Sequence, residues 1–387
     1  MTRLRWNTAG ESHGPALLGI LEGLPAGLEL DWERVQRELT RRQGGYGRGG
    51  RMRIEQDQVE VLSGVRAGRT LGSPLALRIA NKDATIERLP VPDNPRPGHA
   101  DLAGCQKYAH QDPRAVLERA SARETAMRVA IAACARQVLE RFSIEVFGCV
   151  RALGGIESSS ERFERAFAAS RTEREAVRAG NEFYLLDATL EPALRERVDA
   201  AKAAGDTLGG IVEVRAFGLP PGLGSYQSAP ERLSARLGAA LFSIPAIKGV
   251  EIGHGFALAG LPGSKAHDPI RAAAGGEEGP GRYRRESNRA GGLEGGMSTG
   301  EPLVLRAAMK PIPTLRDGLG SVRFKDLSPV KATYQRSDVT SVPAVSVIAE
   351  AMVALELTAA FLESFGGDSL EAVEASYQGH LERLRRV

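Results

Sequence analysis

Ser12 and His13 stand side by side near the start of the chain, in the segment GESHG at residues 10–14. The segment matches the G-x-S-x-G pattern of serine hydrolases, in which a sharp turn between a strand and a helix exposes a nucleophilic serine. Such a turn needs an already built parallel sheet and the chain order serine, acid, histidine, whereas only a short stretch precedes this segment. A serine hydrolase is therefore the less favoured interpretation, and it predicts that a fluorophosphonate probe labels Ser12.

A glycine-rich segment, GYGRGG at residues 45–50, has arginines on both sides. It matches the G-x-G-x-x-G pattern of dinucleotide-binding folds, but those folds place a strand before the glycines and a helix after them. Here a basic, helix-like stretch comes first and an alternating, strand-like stretch comes second. We interpret the segment as a turn that brings Arg42, Arg48 and Arg51 together to bind a multiply charged anion. The alternative is an RNA-binding module, which predicts an affinity for RNA that falls steeply with salt.

The segment RASARE around Ser121 predicts the start of a helix that could bind phosphate. Ser121 and Glu124 have the spacing of a capping box, ahead of a helical run over residues 122–142. A helix N-terminus offers free backbone N–H groups and partial positive charge, and Arg119 and Arg123 flank this one. The structural alternative is a plain cap that faces solvent.

His99, in the segment RPGHAD, is a second histidine able to exchange protons near neutral pH, although a lone histidine is more often structural. The remaining histidines have no ligand-like spacing, so we expect no metal site. The three cysteines, Cys105, Cys134 and Cys149, form no CxxC pattern and no even set, which indicates neither a disulfide framework nor a zinc ribbon.

The composition of the 387 residues favours an enzyme over a nucleic-acid-binding protein. A net charge of +3 is too small for a dedicated duplex-DNA binder, and 5% aromatic residues leave few platforms for stacking single strands. Arg accounts for 43 of the 51 basic residues, which fits either codon bias or the recognition of phosphate and carboxylate. The N-terminal residues show no apolar targeting segment, so we expect a cytoplasmic location.

The elements that must position these residues occur twice. At an offset of 195, AGESHG (9–14) aligns with AGDTLG (204–209), and GLPAG (23–27) aligns with GLPPG (218–222). Between these blocks, an apolar run predicts a strand in each copy, at residues 17–21 and 211–217. A helix is expected after each strand, capped by Asp31 in the first copy and by a capping box of Ser228 and Glu231 in the second.

The two copies differ where chemistry is expected, because His13 in the first copy corresponds to Leu208 in the second. The turn therefore does not need the histidine, which makes His13 a functional candidate. Elsewhere, residues 158–204 predict surface helices and residues 274–285 a flexible loop. The long apolar helix over residues 344–365 contains Glu350 and Glu356, which argues for a protein core rather than a membrane.

Three separated segments together resemble the signatures of the chorismate synthase family. They are GESHGP (10–15) running on to GLP (23–25), RASARET (119–125), and RSDVT (336–340) running on to Glu350. Further similar stretches are RRQGGYGR (41–48), RPGHAD (96–101), GVEIG (249–253), AGGLEGG (290–296) and KP (310–311). They follow the order of the family across nearly the whole chain, so their combination is far more specific than any single motif.

The resemblance implies a lyase that converts 5-enolpyruvylshikimate 3-phosphate into chorismate and phosphate, the last common step of the shikimate pathway to the aromatic amino acids. The substrate carries one phosphate and two carboxylates, which suits the arginine-rich motifs. The family performs a 1,4-elimination with loss of the C6 proton, and it requires reduced FMN although no net oxidation occurs. In the usual account the flavin lends an electron transiently, and its N5 atom takes the C6 proton.

Roles carry over by matching positions. His13 would protonate the departing phosphate, His99 would stabilise the reduced flavin at its N1–O2 edge, and Asp338 would pass a proton at flavin N5. Ser12 and Ser121 would serve as relay hydroxyls. The residues expected to bind the substrate anions or NADPH are Ser12, Arg42, Arg48, Arg123 and, for the substrate, Arg336. The residues expected to contact FMN are Arg119, Ala120, Ser121, Pro245, Ala246, Gly295, Lys310, Pro311, Ile312, Pro313, Thr314 and Arg336.

Three of these positions depart from the family pattern. Pro245 replaces a common asparagine, and Ile312 with Pro313 replaces two hydroxyl residues, so the details of flavin contact should differ here.

The resemblance also implies an α+β fold in one domain of residues 1–387, a three-layer β-α-β sandwich. Its pseudo-twofold halves would span about 1–200 and 201–387, and four chains would form a homotetramer. Because no nucleotide fingerprint is present, we favour an external reductant over reduction of the flavin by NADPH.

Overall fold

A computed structural model describes residues 4–49, 56–274, 281–334 and 338–386 of the chain. The strands are β1 (Arg5–Ala9), β2 (Ala16–Glu22), β3 (Val59–Ser63), β4 (Val65–Arg66), β5 (Arg69–Thr70), β6 (Leu75–Ala80), β7 (Glu145–Leu153), β8 (Ile156–Glu157), β9 (Gly210–Phe217), β10 (Ile247–Ile252), β11 (Ile270–Ala272), β12 (Tyr283–Arg285), β13 (Leu293–Glu294), β14 (Met297–Ser298), β15 (Leu303–Met309), β16 (Gly320–Val322) and β17 (Pro329–Lys331). The α-helices are α1 (Trp32–Gln43), α2 (Asp101–Tyr108), α3 (Arg114–Ala120), α4 (Thr125–Arg141), α5 (Ser160–Phe167), α6 (Arg171–Ala179), α7 (Glu191–Ala204), α8 (Leu233–Phe242), α9 (Gly263–Ala266), α10 (Val342–Phe365) and α11 (Leu370–Leu384).

Two antiparallel sheets organise this mixed α/β fold. The first sheet has the strand order β1-β2-β6-β3, and the second has the order β10-β15-β9-β7-β8. Along β2 the residues alternate between buried and exposed, with Leu17 fully buried and Leu18 44% exposed. One face of the first sheet therefore packs on the core. Most of β7 and β9 is buried without alternation, because Phe163 and Phe167 of α5 cover the other face of the second sheet beside Phe147.

The long helices α4 and α10 pack against each other, α4 also against β2 and β6, and α10 also against β7 and β9. Helix α10 is long and apolar enough to cross a membrane, but 94% of its most apolar window is buried inside the protein. Its Glu350 is buried and accepts hydrogen bonds from Arg41, Arg136 and Arg178. The sequence-based interpretation of α10 as a core helix is thus confirmed.

Both predicted strands of the duplicated unit are present as β2 and β9. The cap of α1 is confirmed, since Asp31 Oδ1 accepts a hydrogen bond from the Arg34 backbone N–H at 2.9 Å. The predicted capping box of Ser228 is wrong. A short 3₁₀ turn at Ala229–Glu231 follows Ser228, whose side chain caps nothing, and the extended Arg232 separates this turn from α8.

The remaining predictions of secondary structure, the surface helices and the loop, are confirmed only in part. Helices α5, α6 and α7 confirm the predicted surface helices between residues 158 and 204. The loop predicted at residues 274–285 includes residues 275–280, which lie outside the described residues. Its C-terminal end is not a loop but strand β12, which pairs with β11.

Candidate active site

The turn that carries Ser12 and His13 joins β1 to β2, which are antiparallel neighbours. Gly10 has φ +109°, and a Cβ there would lie 2.3 Å from the Ala16 carbonyl oxygen, so the close return of the chain requires glycine. Ser12 is buried, and its Oγ lies 3.1 Å from Ser121 Oγ. A hairpin turn of this kind lacks the strand-to-helix geometry that a serine-hydrolase nucleophile needs.

His13 is held by a buried carboxylate from α3. Its Nδ1 lies 2.9 Å from Glu118 Oε2, and the same oxygen accepts the His13 backbone N–H at 2.8 Å. On the other side of the ring, Nε2 lies 3.8 Å from Asp83 Oδ2. Burial raises the pKa of Glu118, but the hydrogen bonds from His13 and from Arg114 outweigh this effect and hold the pKa below its usual value.

The segment around Ser121 forms a 3₁₀ turn over Ala122–Glu124, and α4 begins only at Thr125. Ser121 caps this turn by accepting the Arg123 backbone N–H at 3.3 Å. The predicted reciprocal bond from Glu124 is wrong, because the Glu124 carboxylate instead accepts hydrogen bonds from Thr8 and Arg128. Helix α4 therefore begins at Thr125, three residues beyond the start that the capping pattern predicts.

Two arginines, one on each side of Ser121, point in different directions. Arg119, next to Ala120 at the end of α3, donates to the carbonyl oxygens of Gly10 and Thr8 at 3.0 Å each, which ties α3 to the His13 turn. Arg123 turns inward instead and is 5% exposed.

Arg42 and Arg123 meet at Asp57, a buried carboxylate that the motifs did not indicate. Arg123 Nη1 lies 2.5 Å from Asp57 Oδ1, and Arg42 Nη1 lies 3.7 Å from Asp57 Oδ2. Burial lowers the pKa of Arg42 to about 10; Asp57 opposes this shift, while Arg48 and Arg123 add to it. Asp57 thus serves two guanidinium groups, those of Arg42 and Arg123, which leaves this cluster with a positive charge.

Asn81 connects this cluster to the His13 turn. Its Nδ2 donates to the carbonyl oxygens of Glu11 and Gly14, and its Oδ1 accepts from Arg123 Nε at 3.0 Å. The His13 turn and Arg123, predicted from separate motifs, therefore belong to one hydrogen-bonded network.

Arg48 and Asp338 form an ion pair of 2.7 Å at the start of α10. Asp338 also accepts the Gly49 backbone N–H at 2.6 Å and the Ser341 hydroxyl at 2.8 Å. The glycine-rich segment thus brings an arginine to the predicted proton-transfer aspartate. Arg51 and Arg336 lie outside the described residues.

His99 belongs to a second cluster. Its Nδ1 lies 2.5 Å from Asp101 Oδ1, and Arg96 Nε donates to the other oxygen of that carboxylate at 2.8 Å. Burial raises the pKa of Asp101, but the hydrogen bonds from His99 and Arg96 hold it well below the usual range. The same loop meets residues 310–314, because Arg96 Nη1 donates to Thr314 Oγ1 at 3.3 Å and Lys310 Nζ donates to the Gly98 carbonyl.

The loop of residues 310–314 contains five of the twelve residues predicted to contact FMN. It includes Pro311, Ile312 and Pro313, and the Lys310 backbone N–H donates to the Ala246 carbonyl, next to Pro245, at 3.0 Å. Ala246 has φ +71°, which is unusual for a residue with a Cβ. Burial, together with the charge of Lys248, lowers the pKa of Lys310.

Gly295 is positioned differently from the other predicted flavin contacts. It forms the turn of the β13–β14 hairpin, and the contacts that hold this hairpin run to Gly224 and to the Leu233 backbone N–H at the start of α8. These contacts connect Gly295 neither to the His13 turn nor to the loop of residues 310–314.

Sequence reasoning missed Asp57, Asn81, Glu118 and Asp101. Only Asp101 had a usable signal, because it lies in the same RPGHAD segment as His99. Asp57 and Asn81 lie outside the motifs named above, and Glu118, although it immediately precedes the RASARE segment, has the pattern of an ordinary helix residue.

An antiparallel two-sheet fold that holds a histidine on a buried carboxylate and connects its turn, through Asn81, to buried arginines is typical of enzymes that use acid–base chemistry on small anions. The family model described as chorismate synthase matches residues 4–362. The chorismate synthase of Pelobacter propionicus is 51% identical, over 99% of this chain and 100% of its own, and that of Geobacter sulfurreducens is 50% identical over 99% of each. A crystal structure of chorismate synthase aligns with a TM-score of 0.81 and 38% identity, covering 100% of this chain and 99% of the other.

The chain belongs to the chorismate synthase family. It is a lyase of the shikimate pathway, and its reaction converts 5-enolpyruvylshikimate 3-phosphate into chorismate and phosphate.

Proposed function

We propose that the chain performs this elimination in the presence of reduced FMN, with His13 as the acid for the departing phosphate. One observation carries the proposal: Asn81 joins the His13 turn to Arg123, whose guanidinium meets Arg42 at Asp57. We infer that a substrate whose anionic groups bind the arginines places its leaving group toward the His13 imidazole. Holding an acid next to the breaking bond is the geometric requirement of general acid catalysis.

The buried arginine cluster is the substrate-anion site. Arg42 and Arg123 are 4% and 5% exposed and share a single buried carboxylate, so their combined charge stays positive. The Nη1 atom of Arg42 is buried and makes no hydrogen bond among the described residues. A phosphate or carboxylate oxygen would accept from it, and the planar guanidinium suits such anions.

Asp338 is the proposed proton carrier on the flavin side. Arg48, Gly49 and Ser341 donate to its carboxylate oxygens in the free enzyme. We infer that binding of the substrate anions draws Arg48 away from Asp338, so that the carboxylate can then accept a proton. Ser12 and Ser121, whose hydroxyl oxygens are 3.1 Å apart, are the proposed relay hydroxyls for this proton.

The residues around His99 fit reduced FMN. Lys310 and Lys248 are neighbouring ammonium groups whose mutual repulsion an anionic flavin phosphate would relieve. Asp101 Oδ1, 2.5 Å from His99 Nδ1, favours a proton on that nitrogen and would leave Nε2 available to reduced FMN. The proposed flavin set includes Arg119, Ala120, Ser121, Pro245, Ala246, Gly295 and Lys310 to Thr314, together with Arg336. When bound, reduced FMN supplies a transient electron and a proton acceptor.

We also propose a three-layer β-α-β sandwich with pseudo-twofold duplication in one domain of residues 1–387. When the shorter elements between them are left out, the order strand–helix–strand–strand–helix occurs as β2-α1-β3-β6-α4 and again as β9-α8-β10-β15-α10. The central strand pairings also correspond, β2-β6-β3 in the first sheet and β9-β15-β10 in the second. Gly23 and Gly218, at equivalent positions, have φ values of +89° and +75°, which supports one ancestral turn.

The decisive experiment is anaerobic turnover of purified protein with reduced FMN and 5-enolpyruvylshikimate 3-phosphate. We expect chorismate and phosphate in equal amounts. No product under these conditions would refute the proposal. Labelling of Ser12 by a fluorophosphonate would instead support a hydrolase, and salt-dependent RNA binding without flavin binding would support an RNA-binding module.

The proposed oligomeric state and the proposed source of reduced flavin have separate tests. We propose a cytoplasmic homotetramer, for which light scattering should give about four times the chain mass of 41.3 kDa. An external reductant predicts that NADPH and FMN in air, without dithionite, give no turnover. Turnover under those conditions would assign reduction of the flavin to this chain.

A further inference from the structure

We propose that Glu118 is the positioning residue for His13: its buried carboxylate binds the Nδ1–H group and leaves Nε2 as the nitrogen that donates to the substrate. The inference rests on the proposed role of His13 and adds the group that fixes its tautomer. Nothing in the sequence motifs points to Glu118, because it immediately precedes the RASARE segment and reads as part of an ordinary helix.

The geometry leaves one tautomer. Glu118 Oε1 and Oε2 lie 3.1 and 2.9 Å from His13 Nδ1, and a carboxylate can only accept hydrogen bonds. Nδ1 therefore carries a proton, and Nε2 is the position that gains or loses one. Nε2 lies on the far side of the ring, 3.8 Å from Asp83 Oδ2, where the histidine side chain is 19% exposed.

Glu118 remains charged in this environment. Burial raises its pKa, but the His13 side chain, the His13 backbone N–H and Arg114 all donate to it and hold the pKa below its usual value. Arg114 Nη1 lies 3.3 Å from Glu118 Oε1, and its Nη2 donates to the Pro90 carbonyl. The charged groups that face His13 are therefore Glu118, backed by Arg114, and Asp83.

Glu118 also holds the backbone of the turn. Its carbonyl oxygen accepts the Ser12 backbone N–H at 3.1 Å, while its side chain accepts the His13 backbone N–H at 2.8 Å. The orientation and the tautomer of His13 are thus fixed by the same residue. A buried acid plays this part for the histidine of a Ser–His–Asp triad, where it also stabilises the imidazolium.

The proton balance follows from this arrangement. When the substrate C–O bond breaks, its electron pair goes to the phosphate oxygen, and that oxygen takes the proton from Nε2 of the imidazolium. The ring becomes neutral and keeps its Nδ1–H on Glu118, so Glu118 itself never changes protonation.

Glu118→Gln tests the proposal, because all the neighbours of the carboxylate are donors. A glutamine must turn its NH₂ group toward either His13 or Arg114, and the first choice forces the other tautomer. We expect kcat to fall about 10²–10⁴-fold, as for a histidine in the wrong tautomer, while KM changes less than about threefold. The matched control is Asp112→Asn. Asp112 lies just before α3, the helix that carries Glu118, and the asparagine retains an oxygen that accepts the Arg114 backbone N–H. We expect it to leave kcat within about threefold of wild type.

A second measurement does not depend on the reaction. The ¹⁵N shifts of His13, assigned through loss of its signals in His13→Ala, should report Nδ1–H in the substrate-free wild type and a shift toward Nε2–H in Glu118→Gln. An Nε2–H tautomer in the wild type overturns the proposal even if the variant does not fold. A folded variant with unchanged kcat also overturns it. Absence of turnover in the wild type would refute the proposed function instead, and the tautomer measurement would still decide the role of Glu118.

Discussion

Replacing Asp57 by asparagine should expose the electrostatic cost of the anion site. The substitution keeps the shape of the side chain but removes the charge that lies 2.5 Å from Arg123 and 3.7 Å from Arg42. Asp57 is 1% exposed, so water cannot replace the lost charge. The two guanidinium groups then repel each other in a buried setting.

The size of the effect follows from the burial of all three groups. Breaking a buried ion pair by removing one partner typically costs about 3–5 kcal/mol. For a chain of 387 residues, an unfolding entropy of about 2.1 cal/mol/K per residue gives roughly 0.8 kcal/mol/K, so Tm should fall by about 4–6 °C. An anion bound at the cluster replaces the missing charge, so the substrate or inorganic phosphate should raise the Tm of the variant more than that of the wild type.

Thermal unfolding of the wild type and of Asp57→Asn, each with and without phosphate, is the assay. The matched control is Asp93→Asn, the same change in an exposed ion pair with Arg323, which should cost less than about 1 kcal/mol. If Asp57→Asn costs no more than Asp93→Asn, the arginines are not held by Asp57 and our account of the site is wrong. Equal stabilisation of both proteins by phosphate would likewise contradict an anion site at this cluster.

Three further predictions concern the His13 turn and the cluster around His99. His13→Ala and His99→Ala should fold normally but lose about 10²–10⁴-fold in turnover, as measured anaerobically with reduced FMN; near-normal rates in either would remove that residue from the mechanism. Gly10→Ala should lower Tm and turnover together, since its Cβ would meet a carbonyl oxygen at 2.3 Å; an unchanged Tm would contradict the turn geometry. Because the pKa of Glu118 is lowered by folding, its charge stabilises the protein above the unfolded pKa near 4.5, and this contribution is lost as pH falls through the folded value. Urea unfolding should therefore show Glu118→Gln to be less stable at neutral pH, with a difference that shrinks below about pH 4.5; a constant difference would refute this linkage.

Local patterns in the sequence predicted the elements that depend on local physics. The apolar runs became β2 and β9, Asp31 caps α1, and the long apolar helix α10 lies in the core. These features depend on periodicity and on hydrogen bonds between residues three or four positions apart.

The two wrong capping predictions show that a local spacing does not decide which contacts its residues make. Glu124 has the spacing of a capping box, but Thr8 and Arg128 occupy its carboxylate. Ser228 also has that spacing, yet the chain leaves the 3₁₀ turn through the extended Arg232 before α8 begins. A pattern of four residues contains no information about which outside donor will reach its acid.

The sequence alone determined the chemistry and the family of this protein, because His13, His99 and the arginine motifs occur in the order that the family shares. Only the tertiary structure decided which residues hold them. Glu118 reaches His13 across 105 positions and Asp57 reaches Arg123 across 66. A buried carboxylate is stable only where folding surrounds it with donors, and that arrangement arises when the two sheets and their helices pack together.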